Sequence, residues 1–171
     1  MREKRAAFTL IELLISITIL SILMLFLYKS YAELNSFNQV YKEEVKKINY
    51  FERVKKTLFI DISLAERKTL ILDNRDKDFD MLFFMSRHSV HQRINPYIAY
   101  IVVDKVLYRL ESRMQIKSYP VARDIAFDID KLGEVKRFKL FAKKGDKESE
   151  YLLDVVFVDK PEILLRLKML N

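Results

Sequence analysis

FTLIELLISITILSILMLFLY, residues 8–28, is the stretch on which the reading of the whole chain turns. It holds 21 residues, a single charge at Glu12, and neither Gly nor Pro. As a helix, at about 1.5 Å per residue, it would be roughly 31 Å long, close to the hydrocarbon thickness of a bilayer. An uninterrupted apolar run of this kind behind a basic leader reads as a membrane segment rather than a core helix. The leader MREKRAA carries Arg2, Lys4 and Arg5 against Glu3. That positive bias keeps the N-terminus cytoplasmic and puts everything after Lys29 on the outer side. A cleaved secretory signal would have a shorter apolar core followed by an A-x-A-like site. This segment instead runs straight into Leu25, Phe26, Leu27 and Tyr28.

Glu12 is the informative residue. A carboxylate within the hydrocarbon costs on the order of 2.5–3.5 kcal/mol, so an intramembrane acid is a functional candidate by default. One reading sets it about a turn inside the interface, where it snorkels or stays protonated. An ordinary uncleaved signal anchor likewise accounts for the apolar run but gives no reason for the acid. The surroundings of Glu12 supply one. A basic leader ending in a small residue, then Ala7-Phe8-Thr9-Leu10-Ile11-Glu12-Leu13-Leu14, then an apolar helix, resembles the N-terminus of type IV pilins and of the pseudopilins of type II secretion.

The resemblance implies a prepilin. A prepilin peptidase would cut between Ala7 and Phe8 on the cytoplasmic side and methylate the new Phe8 amine. Glu12 would become the fifth residue of the mature chain and act in subunit assembly, meeting the Phe8 amine of a neighbouring subunit. The family usually has Gly before the cut, where this chain has Ala7. The implied location is the bacterial inner membrane, crossed once, with a periplasmic domain that joins a filament after processing. Implied partners are other pilins or pseudopilins, the peptidase, the inner-membrane assembly platform and the lipid bilayer.

Composition bounds the rest. The 171 residues allow one soluble domain of about 140 residues beyond the anchor. The absence of cysteine excludes disulfides, thiol chemistry and Cys-ligated metals. Two Gly and three Pro argue against a glycine-rich phosphate loop and against a disordered linker. The formal charge of +7 could face nucleic acid or anionic lipid, although a Lys/Glu-rich chain more often means a solvated surface. DNA therefore enters only as a weakly supported partner, since the cations form no aromatic-interleaved cluster.

From Lys29 the chain stays helical but becomes amphipathic. Tyr31, Leu34, Phe37, Tyr41, Val45, Ile48, Phe51, Val54 and Leu58 trace one face, opposite Lys42, Glu43, Lys46, Lys47 and Lys55. The simplest expectation is one helix from Phe8 to about Leu58, its first half in lipid and its second half laid on a domain; a two-stranded coiled coil is the alternative for the second half. After about Arg67 the period becomes two. Expected strands are Thr69–Leu72, Phe79–Ser86, Tyr97–Val103, Val106–Glu111, Val121–Ile129, Glu134–Ala142, Glu150–Val158 and Ile163–Met169. In the fifth, Val121, Ile125, Phe127 and Ile129 should face in, with Arg123 as an inward misfit. Turns are expected at Asp104-Lys105, Leu132-Gly133, Lys144-Gly145 and Lys160-Pro161. The fold class is α+β: a long N-terminal helix, its first half transmembrane, packed on antiparallel sheet in a pilin-like arrangement. The corresponding segments are a leader (1–7), a transmembrane and filament-core helix (8–28), its amphipathic continuation (29–66) and a β-rich periplasmic domain (67–171).

A second resemblance lies in the hairpin. Tyr100-Ile101-Val102-Val103-Asp104-Lys105-Val106-Leu107-Tyr108-Arg109 is similar to the Y-x-L-x-x-G-x-L-x-R hairpin of J-type minor pseudopilins and related minor pilins, with Lys105 where a turn Gly is common. The plain reading is ordinary strand packing plus a surface Arg109. Other candidates argue for no site. His88 and His91 read as a surface loop rather than a metal pair. Asp76, Asp78 and Asp80 mimic the start of a calcium loop, but Met81 and Arg87 occupy the glycine and acid positions, so a solvated turn is expected. No motif indicates hydrolysis, no cofactor is expected, and the chain is not read as an enzyme. Two classes remain: a minor pilin or pseudopilin, serving secretion, pilus assembly or DNA uptake, and a binding or sensing domain on an uncleaved signal anchor.

Overall fold

The computed structural model describes residues 9–142 and 150–169; the expected cleavage and methylation site at Ala7-Phe8 and the expected turn at Lys144-Gly145 lie outside them. The chain falls into two compact units, residues 1–49 and 50–171. One helix, α1 (Leu10–Ser63, 54 residues), supplies the described part of the first unit and opens the second. No Gly or Pro occurs anywhere in it, so nothing breaks its hydrogen-bond ladder.

In the first unit α1 is long and apolar enough to cross a membrane. Its hydroxyls turn inward to the backbone: Ser16 and Ser21 donate to the carbonyls of Glu12 and Ile17, at 2.7 and 2.8 Å. Such bonds satisfy polar groups that a hydrocarbon environment would leave without partners. Further along, the apolar face formed by Tyr31, Leu34, Phe37, Tyr41 and Ile48 is exposed.

The second unit wraps a seven-stranded antiparallel sheet around the last turns of α1. The strands are β1 (Ile71–Asp73), β2 (Met81–Met85), β3 (Tyr97–Val103), β4 (Val106–Ser112), β5 (Phe127–Ala142), β6 (Glu150–Phe157) and β7 (Ile163–Lys168). They stand in sequence order, each paired with the next. The sheet curls, because the chain leading into β2 returns to β5: the Asp80 N–H donates to the Phe138 carbonyl at 2.7 Å, and the Phe138 N–H to that of Asp78 at 2.9 Å. Into the concave side go Val54, Leu58 and Ile62 of α1, spaced by four residues, against Leu82, Phe84, Tyr100, Phe138, Leu153 and Val155. Each buried Leu or Ile there is worth about 2–5 kcal/mol against Ala. The helix-on-antiparallel-sheet class is as expected, and α1 continues one turn beyond Leu58 before the chain turns away.

Two expectations about β5 are overturned. Residues 121–126 form no strand, and Leu132-Gly133 is no reversal. Instead β5 runs through that point, pairing with β4 over Phe127–Glu134 and with β6 over Val135–Ala142. Gly133, at φ 131°, carries a register shift opposite Leu107 and Tyr108. The bulge bends the strand from one partner to the next, where a sequence reading takes a Gly between two apolar runs for a turn. Ile129 is 58% exposed, and Arg123 lies on the surface rather than inward. Val121, Ile125 and Phe127 do turn to apolar neighbours, packing with Phe83, Ile101, Leu110 and Ile116 on the convex face of the sheet. Thr69 likewise belongs to a 3-10 turn (Arg67–Thr69) rather than to a strand. Asp104 and Lys105, at φ 50° and 63°, make the two-residue turn between β3 and β4, the type I′ geometry that suits the twist of a hairpin.

Candidate functional site

At two places along α1 polar groups stand among apolar ones. The first is the start of α1. The Thr9 N–H and hydroxyl donate to Glu12 Oε2 at 2.9 and 2.8 Å, and the Glu12 N–H donates to Thr9 Oγ1 at 3.4 Å. This reciprocal pair is a capping box, which satisfies amide groups that the first helical turn leaves open. Glu12 thus has a partner within its own chain, a role its spacing from Thr9 announces and the sequence reading passes over. Ala7 and Phe8, expected at the cleavage and methylation site, lie outside the described residues.

The second place is a buried ionic hub at the other end of the helix. Asp61 sits on the apolar stripe with Leu58 and Ile62 and is fully buried. Tyr100 and Arg109 face each other across β3 and β4 in direct register, and both reach Asp61. The Tyr100 hydroxyl donates to Asp61 Oδ2 at 2.6 Å, and Arg109 Nε donates to the same oxygen at 2.6 Å. Arg109 Nη1 continues to Glu111 Oε2 at 2.8 Å and to Asp130 Oδ2 at 3.2 Å. Burial works against the Arg109 charge, but Asp61 beside it and the bonds to Asp61 and Glu111 hold the guanidinium firmly protonated. Burial, with the Asp61 charge, also pushes the Tyr100 hydroxyl well up, so it stays a donor. For Glu111 burial pushes the carboxyl up, yet bonds from Ser89, Arg109 and the Val90 N–H outweigh it and bring it below its usual value.

The loop from Ser86 to Pro96 lies at the surface, as expected, with Arg87, Val90, His91, Gln92, Ile94 and Asn95 exposed, but it also closes over this hub. His88 Nδ1 lies 2.5 Å from Asp61 Oδ1, and His91 Nε2 lies 3.0 Å from Asp130 Oδ2. Arg93 holds Asp128, and the Ser89 hydroxyl meets Glu111. A surface Arg109 is corrected, because its side chain has no solvent exposure. The sequence does contain the signal: Leu107, Arg109 and Glu111 alternate onto one face of β4, and an acid interrupts the apolar stripe of α1 at position 61. Two opposite charges set on two inward faces imply each other. Asp80 departs from the solvated turn in the same way, buried between Lys139 Nζ and the Leu140 N–H, both at 2.8 Å. Asp76, by contrast, caps its own turn through the N–H groups of Asp78 and Phe79.

The two places define a class: a helix capped for entry into an apolar environment, locked at its far end to a curled antiparallel sheet. Residues 2–28 match the family described as the prokaryotic N-terminal methylation motif, the prepilin-type signal of type IV pilins and pseudopilins. That motif points to a structural, membrane-anchored, pilin-like subunit rather than an enzyme, one that is processed by prepilin peptidase and assembles with other pilins. No curated protein and no solved structure matches the chain.

Proposed function

We propose that the chain is a minor pilin or pseudopilin, a structural subunit of a periplasmic or surface filament serving protein secretion, pilus assembly or DNA uptake. The observation that carries this reading is the methylation motif over residues 2–28, coupled to a helix that runs unbroken from Leu10 to Ser63. Residues 1–7 are the leader, residues 8–28 the membrane and filament-core helix, residues 29–66 its continuation, and residues 67–171 the periplasmic domain. The peptidase cuts between Ala7 and Phe8, and the Phe8 amine is methylated. Intact-mass analysis of membrane-extracted protein tests this: the expected mature chain begins at N-methylated Phe8. A chain that retains Met1 to Ala7 in cells with an active peptidase would instead be a signal-anchored domain.

Glu12 has two roles in this reading, and they separate by substitution. Its capping bonds to Thr9 need only an acceptor oxygen, which Gln also offers. Pairing with a neighbour's Phe8 amine needs the charge, in a setting where desolvation offsets much of the attraction, so the pair sets register more than it adds stability. Glu12→Gln should keep membrane insertion and cleavage while weakening incorporation and crosslinking to partner pilins, and Glu12→Leu should do so at least as strongly. A Gln variant that incorporates like the wild type would reduce Glu12 to a helix cap.

A further inference from the structure

The two halves of β5 have different neighbours, and one half is left open. Over Phe127–Lys131 the strand is paired only on its β4 side, because β6 joins it only from Val135 onward. On the open side the Tyr50 hydroxyl takes the Lys131 carbonyl at 2.6 Å and closes one end. Strand geometry puts the N–H and C=O of Ile129, two residues earlier, on that same open side. Ile129 also borders a hollow on each side of the sheet. One, of about 310 Å³, lies beside Tyr50, Val54 and Val90. The other, of about 480 Å³, is an apolar groove on the convex face. Its floor includes Ile101, Leu110 and Phe127, and its wall is Tyr119, Pro120 and Val121 of the loop between β4 and β5.

That loop, residues 113–126, carries Arg113, Lys117 and Arg123 against a single acid, Asp124. All three cations are exposed and make no ion pair among the described residues. Lys131 is exposed as well, and it pairs with Tyr108 on the groove side of the sheet. The acids of the strand segment itself, Asp128 and Asp130, are held by Arg93, Arg109 and His91. The open edge is therefore bordered by unanswered positive charge and by an empty apolar seat.

We propose that this edge receives an extended segment of a partner protein, added as a further strand beside Phe127–Lys131, with apolar side chains in the groove and acidic side chains flanking them. Backbone bonds to the Ile129 peptide groups supply the pairing, the groove selects an apolar residue, and the cations select acids around it. Single-stranded nucleic acid would also answer the positive charge. Tyr108, Tyr119 and Phe127 of the groove could stack bases, but the strand edge favours a peptide, because it offers alternating donors and acceptors that nucleotides do not match. This inference is independent of the filament reading.

The test uses the full chain in lipid nanodiscs and fluorescence anisotropy with three probes: a short peptide alternating Val and Glu, its Val and Lys counterpart, and an oligothymidylate. The Val–Glu peptide should bind saturably, about tenfold or more tighter than the Val–Lys peptide, and more weakly as salt rises. Binding should slow amide exchange over residues 127–131. Arg123→Glu should weaken it about tenfold, and so should Ile129→Ser, which removes the apolar side chain without adding charge and keeps the backbone pairing of β4 and β5. Both substitutions lie at exposed positions, and unchanged far-UV circular dichroism shows that the fold is retained. Equal binding of the two peptides, no binding of either, or binding indifferent to Ile129 and Arg123 would overturn the proposal. Tighter binding of oligothymidylate with the same dependence on Ile129 would overturn it in favour of nucleic acid.

Discussion

Arg109 ties the second unit together, because three carboxylates converge on its fully buried guanidinium, two of them buried with it. Arg109→Met should cost about 3–5 kcal/mol in urea denaturation, since it leaves Asp61 and Glu111 buried without their cation. Arg109→Lys should recover only part of that loss, because a point charge on a flexible stem does not fork to several acceptors. Acid exposes the same hub. The Glu111 carboxyl titrates lower in the folded chain than its ordinary value of 4.5. Its contribution is therefore present above that value and is lost as pH falls through the lower, folded one. Glu111→Gln should flatten the acid limb of a stability–pH curve measured by denaturant titration. The opposite sign is expected at the hairpin: Lys105 holds φ 63°, a conformation that Gly enters without steric cost. Lys105→Gly should raise stability by about 0.5–1 kcal/mol, read as a higher thermal midpoint.

Among the elements, α1 and β5 show what a sequence discloses and what it withholds. Most of the helix was legible, to within five residues of its end at Ser63, since its apolar run and its freedom from Gly and Pro are local properties. So was the hairpin of β3 and β4, which matches its expected bounds at Tyr97–Val103 and at Val106. β5 was not, because Gly133 serves a turn or a bulge equally well until the partner strands are known. There a Cβ would meet Lys160 Nζ at 3.1 Å, at a φ of 131°. Gly133→Ala should cost about 1–3 kcal/mol in denaturant titration, most of it backbone strain. The hub was half legible. Asp61, Arg109 and Glu111 each break an apolar pattern, but which of them meet depends on the curl of the sheet. That the surface loop at His88 and His91 also reaches the hub was not legible, because its partners come from α1 and from β4 and β5, far away in the sequence.

At the scale of the whole molecule, the core of the second unit draws, among the described residues, on none before Phe51. Removing residues 1–28 should therefore leave a soluble protein with a mixed α/β circular dichroism spectrum and one cooperative melting transition. An almost purely helical spectrum would contradict the architecture. The hub also imposes an order of events. Asp61 finds His88, Tyr100 and Arg109 at separations of 27, 39 and 48 residues. The chain is made from its N-terminus, so the helix end leaves the ribosome with a bare acid on its apolar face. It stays in that state until the hairpin has followed. During that interval Val54, Leu58 and Ile62 have no sheet to cover them, and a nascent chain cut short before Arg109 carries a sticky, unneutralised helix end. Completion of the hairpin is thus the step that supplies Asp61 with Tyr100 and Arg109 and begins to cover the apolar end of the helix.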